Sequence, residues 1–158
     1  MIVFEHGALG RLKEEVPAGE HLVPFGKAAV KREGNNVTLV AIGAMVPKAM
    51  KVAEKLGREN ISVEVIDPRT LIPLDENTIL ASVEKTNRIV IADEGHLRGG
   101  AAADIAAIVA DKGFDFLDGP VRRVTSLDVP IPFSPPLEKA AIADEGRIEA
   151  AIRDVVGR

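Results

Sequence analysis

The chain has 158 residues, 24 acids against 20 bases, a formal charge of −4 and a hydrophobic share of 46%. That is the length of one domain, and mild acidity with five Phe, no Trp and no Tyr argues against a nucleic-acid partner read through phosphates or stacked bases. The absence of Cys excludes disulfides, thiol nucleophiles and thiolate metal sites, no apolar run approaches the ~20 residues that span a bilayer, and the leading residues lack a signal-peptide pattern, so a cytoplasmic location without a membrane partner is expected.

Residues 2–4 are a short apolar run that reads as a strand, and residues 7–26 carry enough Gly and Pro to read as an irregular arm. The expected organisation is therefore an arm over residues 1–26 and one domain over residues 27–158. Ala28–Arg32 and Val37–Ile42 are strand-like runs joined by Glu33-Gly34-Asn35-Asn36. Gly and Asn tolerate positive φ, so a tight turn and an antiparallel pair are predicted there. Val46–Gly57 reads as a helix with Pro47 in its first turn. Val46, Ala49, Met50, Ala53 and Leu56 share its apolar face, and Lys48, Lys51, Glu54 and Lys55 face away. Ile61–Asp67 is a β-branched run ended by Pro68. Asp75 is placed as the cap of a helix running to Thr86, with Leu74 and Ile79 as a hydrophobic staple. Arg88–Asp93 is the next strand, Ala101–Lys112 the next helix and Val121–Ser126 a further strand. Asp144 caps a last helix whose inward face is Ile148, Ala151, Ile152 and Val155. Strands alternating with helices imply βαβ units. The fold class expected is α/β, a three-layer α/β/α domain with a mostly parallel sheet and one antiparallel edge strand.

Open α/β sheets bind ligands at the carboxyl ends of their strands. Those ends carry Gly43, Asp67, Arg69, Asp93, Glu94, His96 and Asp128. Asp93, Glu94 and His96 suit an acid/base pair, or simply a solvated loop or an interface salt bridge. Arg69 suits a bidentate contact with a phosphate or carboxylate, or an ion pair with Asp67 or Asp75. Gly95-His96-Leu97-Arg98-Gly99-Gly100 sits between a strand and a helix, where a dinucleotide loop would sit. Its spacing does not match G-x-G-x-x-G, and a tight turn with close helix packing fits it better. His6, His21 and His96 lack metal-helix spacing, so no metal site built by this chain is expected. Residues 128–137 hold four of the ten prolines and read as a rigid extended segment packed on the domain.

The Ala101–Lys112 stretch carries only Asp104 as a charge between Ala101 and Ala110. A helix apolar most of the way round buries one side on the sheet and another on something else. Ala102, Ile105, Ala106 and Val109 are therefore interface candidates, with Glu94 and His96 beside them, and a homodimer through this helix is expected.

Val3-Phe4-Glu5-His6, Val23-Pro24-Phe25-Gly26-Lys27-Ala28, Glu64 through Asp75, Ala81 through Thr86 and Val129-Pro130-Ile131-Pro132-Phe133 occur in order along the chain. Together they resemble the C-terminal domain of the beta subunit of thiamine-diphosphate-dependent 2-oxo acid dehydrogenases, of the pyruvate, acetoin and branched-chain type. Ala103 through Ala107 and Ala110 through Asp115 are similar to the acetoin and pyruvate members.

The resemblance implies a transketolase C-terminal fold with five strands. It implies an enzyme that binds thiamine diphosphate and magnesium when complete, as the first component of a multienzyme complex. The cofactor's pyrimidine half would belong to a preceding domain and its diphosphate to the alpha subunit, leaving this chain inactive alone, with no catalytic, cofactor-binding or metal residue of its own. It implies the alpha subunit, a second beta subunit and a lipoyl acyltransferase core as partners, and an arginine placed like Arg69 near the substrate entrance. The alternative from the residues themselves is a stand-alone nucleotide- or phosphate-binding α/β module using the glycine loop and Arg69.

Overall fold

The computed structural model describes residues 6, 7, 9–13, 15 and 18–157. The strand expected over residues 2–4 lies outside them. Five strands form one sheet: β1 (Ala29–Arg32), β2 (Val37–Ala41), β3 (Val63–Asp67), β4 (Ile89–His96) and β5 (Arg122–Ser126), in the spatial order β1-β3-β2-β4-β5. All neighbours run parallel except β1, which lies antiparallel to β3. The helices are α1 (Met45–Gly57), α2 (Glu76–Thr86), α3 (Ala101–Lys112), α4 (Pro135–Ala141) and α5 (Glu145–Val156).

Successive side chains of a strand point to opposite faces, and the central strands use both. Leu39, Val65 and Val90 meet α1 and α5 in one core with Ala49, Leu56, Ile148 and Ile152. Val40, Ile66 and Ile91 meet α2 and α3 in the other, with Ile79, Val83, Ile105 and Val109. All five residues of β2 are buried, as a central parallel strand requires. On α1 the buried face is Met45, Ala49, Val52, Ala53 and Leu56, while Val46 and Met50 lie at its border. The stripe is thus rotated slightly from the one expected.

One expected pairing is overturned. β1 does not form a hairpin with β2; the Glu33–Asn36 link carries the chain past the start of β3, so that β3 separates the two. The reason is local and steric. A Cβ at Gly34 would stand inside the Val63–Glu64 backbone. The Asn35 and Asn36 N–H groups donate to the Ser62 carbonyl, and Ser62 N–H donates to Asn36 Oδ1 at 2.7 Å. These bonds hold the link against β3 rather than closing it on itself.

The α2 cap stands as expected: Asp75 accepts from Thr78 N–H at 3.3 Å. Asp75 also accepts from Ala28 N–H at 3.0 Å, which ties the approach to β1 onto this helix. Burial pushes the Asp75 carboxyl up, but the bonds from Ala28 and Thr78 outweigh it and hold it below its ordinary range. Asp144 caps α5, accepting from Arg147 N–H at 2.8 Å. Residues 128–137 depart from expectation. Their second half winds into α4, and Val129, Ile131, Phe133 and Leu137 are exposed rather than packed on the domain. Pro135 and Pro136 open α4, where a missing N–H costs nothing.

Candidate functional site

β2, β3, β4 and β5 run parallel, so their carboxyl ends share one edge of the sheet. Two concavities lie there. A hollow of about 300 Å³ is lined by Ile42, Gly43, Asp67, Pro68, Arg69 and Leu71 at the ends of β2 and β3. A larger cleft of about 540 Å³ lies among Lys48, Glu94, Glu138, Lys139, Ile142 and Asp144, under α4 and the start of α5.

Arg69 lies two residues past the end of β3, after Pro68, and adopts the left-handed region at φ 58°. Its N–H is held by Asp67 Oδ1 at 3.0 Å. A left-handed non-glycine costs free energy that the surroundings must offset, and such residues concentrate at functional sites. The Arg69 guanidinium has no hydrogen bond or ion pair among the described residues, so neither Asp67 nor Asp75 neutralises it. This side of the hollow offers a cation and an open glycine, Gly43, at φ 57° with nothing near its Cβ position.

The three polar residues at the end of β4 do not converge. Asp93 is buried and turns into its own loop, accepting from Gly95 N–H at 3.0 Å. Glu94 faces the larger cleft, 2.9 Å from His6 Nε2 and 3.6 Å from Lys48 Nζ. His96 is exposed, with Nδ1 3.1 Å from the Leu127 carbonyl. Of the readings open for these residues, an acid/base pair between His96 and the carboxylates is absent from the described residues, and a break in the β4–β5 register between Ala92 and His96 turns the residues apart. The partners of Glu94 are His6 and Lys48, both distant in sequence and not expected.

The glycine loop is explained by Asp93. A Cβ at Gly95 would stand 2.8 Å from Asp93 Oδ2, and one at Gly100 would stand 2.7 Å from the His96 carbonyl. The loop therefore closes round a carboxylate beside the first residue of α3. Its shape is a tight turn, and its charge is wrong for a phosphate.

Of the interface candidates on α3, Ala102, Ile105 and Val109 are buried in the chain's own core against β4 and Ile66. Ala106 is partly buried, and Ala107 and Ala110 are exposed. A partner could touch α3 along Ala103, Ala106, Ala107 and Ala110, not through the three core residues. Phe114, just past the helix, is 71% exposed.

One polar pair escaped the sequence reading. Glu64 in the middle of β3 is buried and receives hydrogen bonds from Lys85 of α2 and from Gly34 N–H, the latter at 3.2 Å. Nothing in Val63-Glu64-Val65-Ile66 marks it, since an acid in a strand ordinarily faces water.

Residues 26–148 match the family described as transketolase, C-terminal domain. Over 154 residues the chain is 47% identical to the Bacillus subtilis acetoin:2,6-dichlorophenolindophenol oxidoreductase subunit beta, covering 98% of this chain and 45% of that one. It is 45% identical over 155 residues to the Rickettsia felis pyruvate dehydrogenase E1 component subunit beta, covering 98% and 48%. It is 36% identical over 157 residues to the Bacillus subtilis 2-oxoisovalerate dehydrogenase subunit beta, covering 98% and 48%. The chain thus spans about half the length of the curated relatives it matches. A solved structure titled as a split-gene transketolase in an inactive beta4 tetramer superposes with a TM-score of 0.76 at 28% identity, covering 91% of this chain and 46% of that one. By sequence and by fold, this chain belongs to the transketolase C-terminal domain family.

Proposed function

We propose that the chain is the C-terminal assembly and interaction domain of the beta subunit of a thiamine-diphosphate-dependent 2-oxo acid or acetoin dehydrogenase. The observation that carries the reading is the span of the match. Three relatives named as beta subunits align over 98% of this chain and under half of their own length. In this reading the partners are an alpha subunit, a second beta subunit and a lipoyl acyltransferase core, and the location is cytoplasmic. No helix among the described residues is long and apolar enough to cross a membrane.

When bound in a complete enzyme, thiamine diphosphate supplies the carbanion chemistry that breaks the bond beside a carbonyl. The described residues do not fit its diphosphate and magnesium. The larger cleft sets Glu94, Glu138, Asp144 and Glu145 against Lys48 and Lys139, a surplus of the wrong sign for a diphosphate. The glycine loop is closed round Asp93, and no group of three His, Cys, Asp or Glu that could hold a metal ion occurs among the described residues. In this reading the cofactor is held by other polypeptide.

Arg69 stands near the substrate entrance in this reading, supported by its unpaired guanidinium at the carboxyl edge. The outward alanines of α3 meet a second beta subunit, with Glu94 and His96 beside that contact. The test is turnover of pyruvate or acetoin with an artificial electron acceptor, thiamine diphosphate and magnesium. The chain alone is expected to be inactive and to associate with co-expressed alpha subunit. Turnover by the purified chain alone, or tight calorimetric binding of a nucleotide, overturns the reading.

A further inference from the structure

Resting on the beta-subunit reading, we propose that the corner formed by residues 22–25 and 71–72 seats the upstream half of that subunit. The corner is built from two runs, Leu22-Val23-Pro24-Phe25 and Leu71-Ile72-Pro73-Leu74, neither of which carries a charge. Leu22 is 76% exposed, Phe25 62% and Ile72 95%, and Val23 and Leu71 are exposed beside them. A single exposed apolar side chain is ordinary, but several held together mark a contact surface. Gly26 holds these together. At φ 68° it lies so close to the second run that a Cβ there would stand 3.0 Å from Pro73 Cγ. Its N–H donates to Thr70 Oγ1 at 2.9 Å, and that hydroxyl donates to the Pro73 carbonyl at 2.8 Å. Each run also holds a proline, which lowers the entropy lost on ordering. The corner is therefore set before a partner arrives, which lowers the cost of binding one.

The occupant follows from the place of the corner in the chain. The family match begins at residue 26, so residues 22–25 are the last before the domain proper. The match to the Bacillus subtilis acetoin oxidoreductase beta subunit covers 98% of this chain, so that approach belongs to the relative too. It covers 45% of that subunit, and a C-terminal domain places the remainder upstream. Polypeptide arriving through residues 22–25 is tethered beside the corner, and a tether raises its effective concentration there. Arg69 and Leu71 line the adjoining hollow, so the seated half borders it. A second exposed apolar group, Val129, Ile131 and Phe133, follows β5, which β2 and β4 separate from β3 in the sheet. It lies off this approach and serves as the control.

The chain has no Cys, so Phe25→Cys, Ile72→Cys and Phe133→Cys each introduce a single thiol. Maleimide labelling at each is timed by peptide mass spectrometry in two settings. One is this chain alone, and the other is a chimera in which it replaces the matching part of the Bacillus subtilis subunit. Labelling at 25 and 72 is expected to slow roughly ten-fold or more in the chimera, and at 133 by less than about two-fold. Ile72→Asp is expected to lower the melting temperature of the chimera and to leave that of the chain alone unchanged. Equal labelling at 25 and 72 in the two settings, or an Ile72→Asp chimera that melts like its parent, overturns the proposal. So does labelling that slows in the chain alone as its concentration rises, which would seat a second copy there. Acetoin turnover by the chimera with alpha subunit reads the beta-subunit assignment separately. Turnover without slowed labelling removes this contact and leaves that assignment in place.

Discussion

Replacing Lys85 by Met tests how the α2 side of the sheet is held. The Glu64 side chain is 3% exposed and the Lys85 side chain 40%, so the variant strands a buried carboxylate whose cation reached it from the surface. Removing one partner of a fully buried pair costs about 3–5 kcal/mol. Here Lys85 is partly solvated and Glu64 keeps the Gly34 N–H, so the expected loss falls to about 1.5–3 kcal/mol. Glu64→Gln keeps an acceptor for Gly34 and should cost about 1–2 kcal/mol. Urea denaturation of the two single variants and the double variant closes a cycle, and a coupling of about 1 kcal/mol or more is expected.

The pH dependence has a definite sign. Burial pushes the Glu64 carboxyl up, but hydrogen bonds from Lys85, Ser82 and Gly34 overcome it and set it below its ordinary 4.5. Its contribution is therefore present above that ordinary value and is lost as pH falls through the lower folded one. Lys85 is raised above its ordinary 10.5, chiefly by its hydrogen bond to Glu64. Its contribution is present below that ordinary value and is lost as pH rises through the higher folded one. Glu64→Gln should flatten the acid side of the stability curve, and Lys85→Met the alkaline side. A coupling within about 0.3 kcal/mol of zero, with an acid side unchanged in Glu64→Gln, refutes the reasoning.

Gly34→Ala places a Cβ inside the Val63–Glu64 backbone and should cost about 3 kcal/mol or more by denaturant titration; a loss under about 1 kcal/mol contradicts the crossover account. Asp75→Ala removes both the α2 cap and the Ala28 anchor, for an expected loss of about 1–2 kcal/mol. Since Asp75 is held below its ordinary range, the difference between this variant and the parent should shrink as pH falls through the folded value of Asp75. Ala107→Glu adds a charge to the exposed face of α3 and should shift stability by about 0.5 kcal/mol or less while weakening self-association in sedimentation. A monomer before and after the change removes α3 as a self-contact.

The elements were legible wherever a local cause sets them. Asp75 and Asp144 are acids three residues ahead of an N–H they accept from, and both caps stand where the residue types put them. β1 was misplaced because its partner is decided elsewhere. Glu33-Gly34-Asn35-Asn36 is equally good chemistry for a hairpin and for a crossover. What selects the crossover is Gly34 lying on a strand whose contact atoms are 29 and 30 residues away in the chain. The site is legible to the same extent. Arg69 lies two residues past the end of β3 and could be placed by position. The meeting of His6 with Glu94 spans most of the sheet and leaves no local trace. The glycines after Asp93, read from the sequence as a tight turn, close round a carboxylate of the chain's own that the sequence did not single out as their reason.

The packing of α1 on α5 shows that some long-range information was present and unused. Lys51 meets Glu145 at 3.2 Å, Lys55 meets Glu149 at 2.7 Å and Arg153 meets Glu59 at 2.8 Å. The charges recur every fourth residue along α5 and along α1 and the turn after it, and the partner numbers rise together, so the helices lie parallel. The signs run plus, plus on α1 and minus at Glu59 two residues past its end, against minus, minus, plus on α5. Sliding α5 by one turn sets Glu59 against Glu149, a like-charge contact. The reversal of sign at Glu59 and at Arg153 therefore favours one register over its neighbour. Each exposed pair adds little stability, so the ladder works chiefly by penalising the wrong alignment while Leu56, Ile148 and Ile152 supply the burial. Reversing Glu149 to Lys breaks its rung to Lys55 and its contact with Arg153. The expected result is a lower melting temperature whose deficit narrows as salt is raised from ~0.05 to ~1 M, where screening reaches about 3 Å. A deficit independent of salt would mean that Glu149 acts through packing, and the register argument would fail with it.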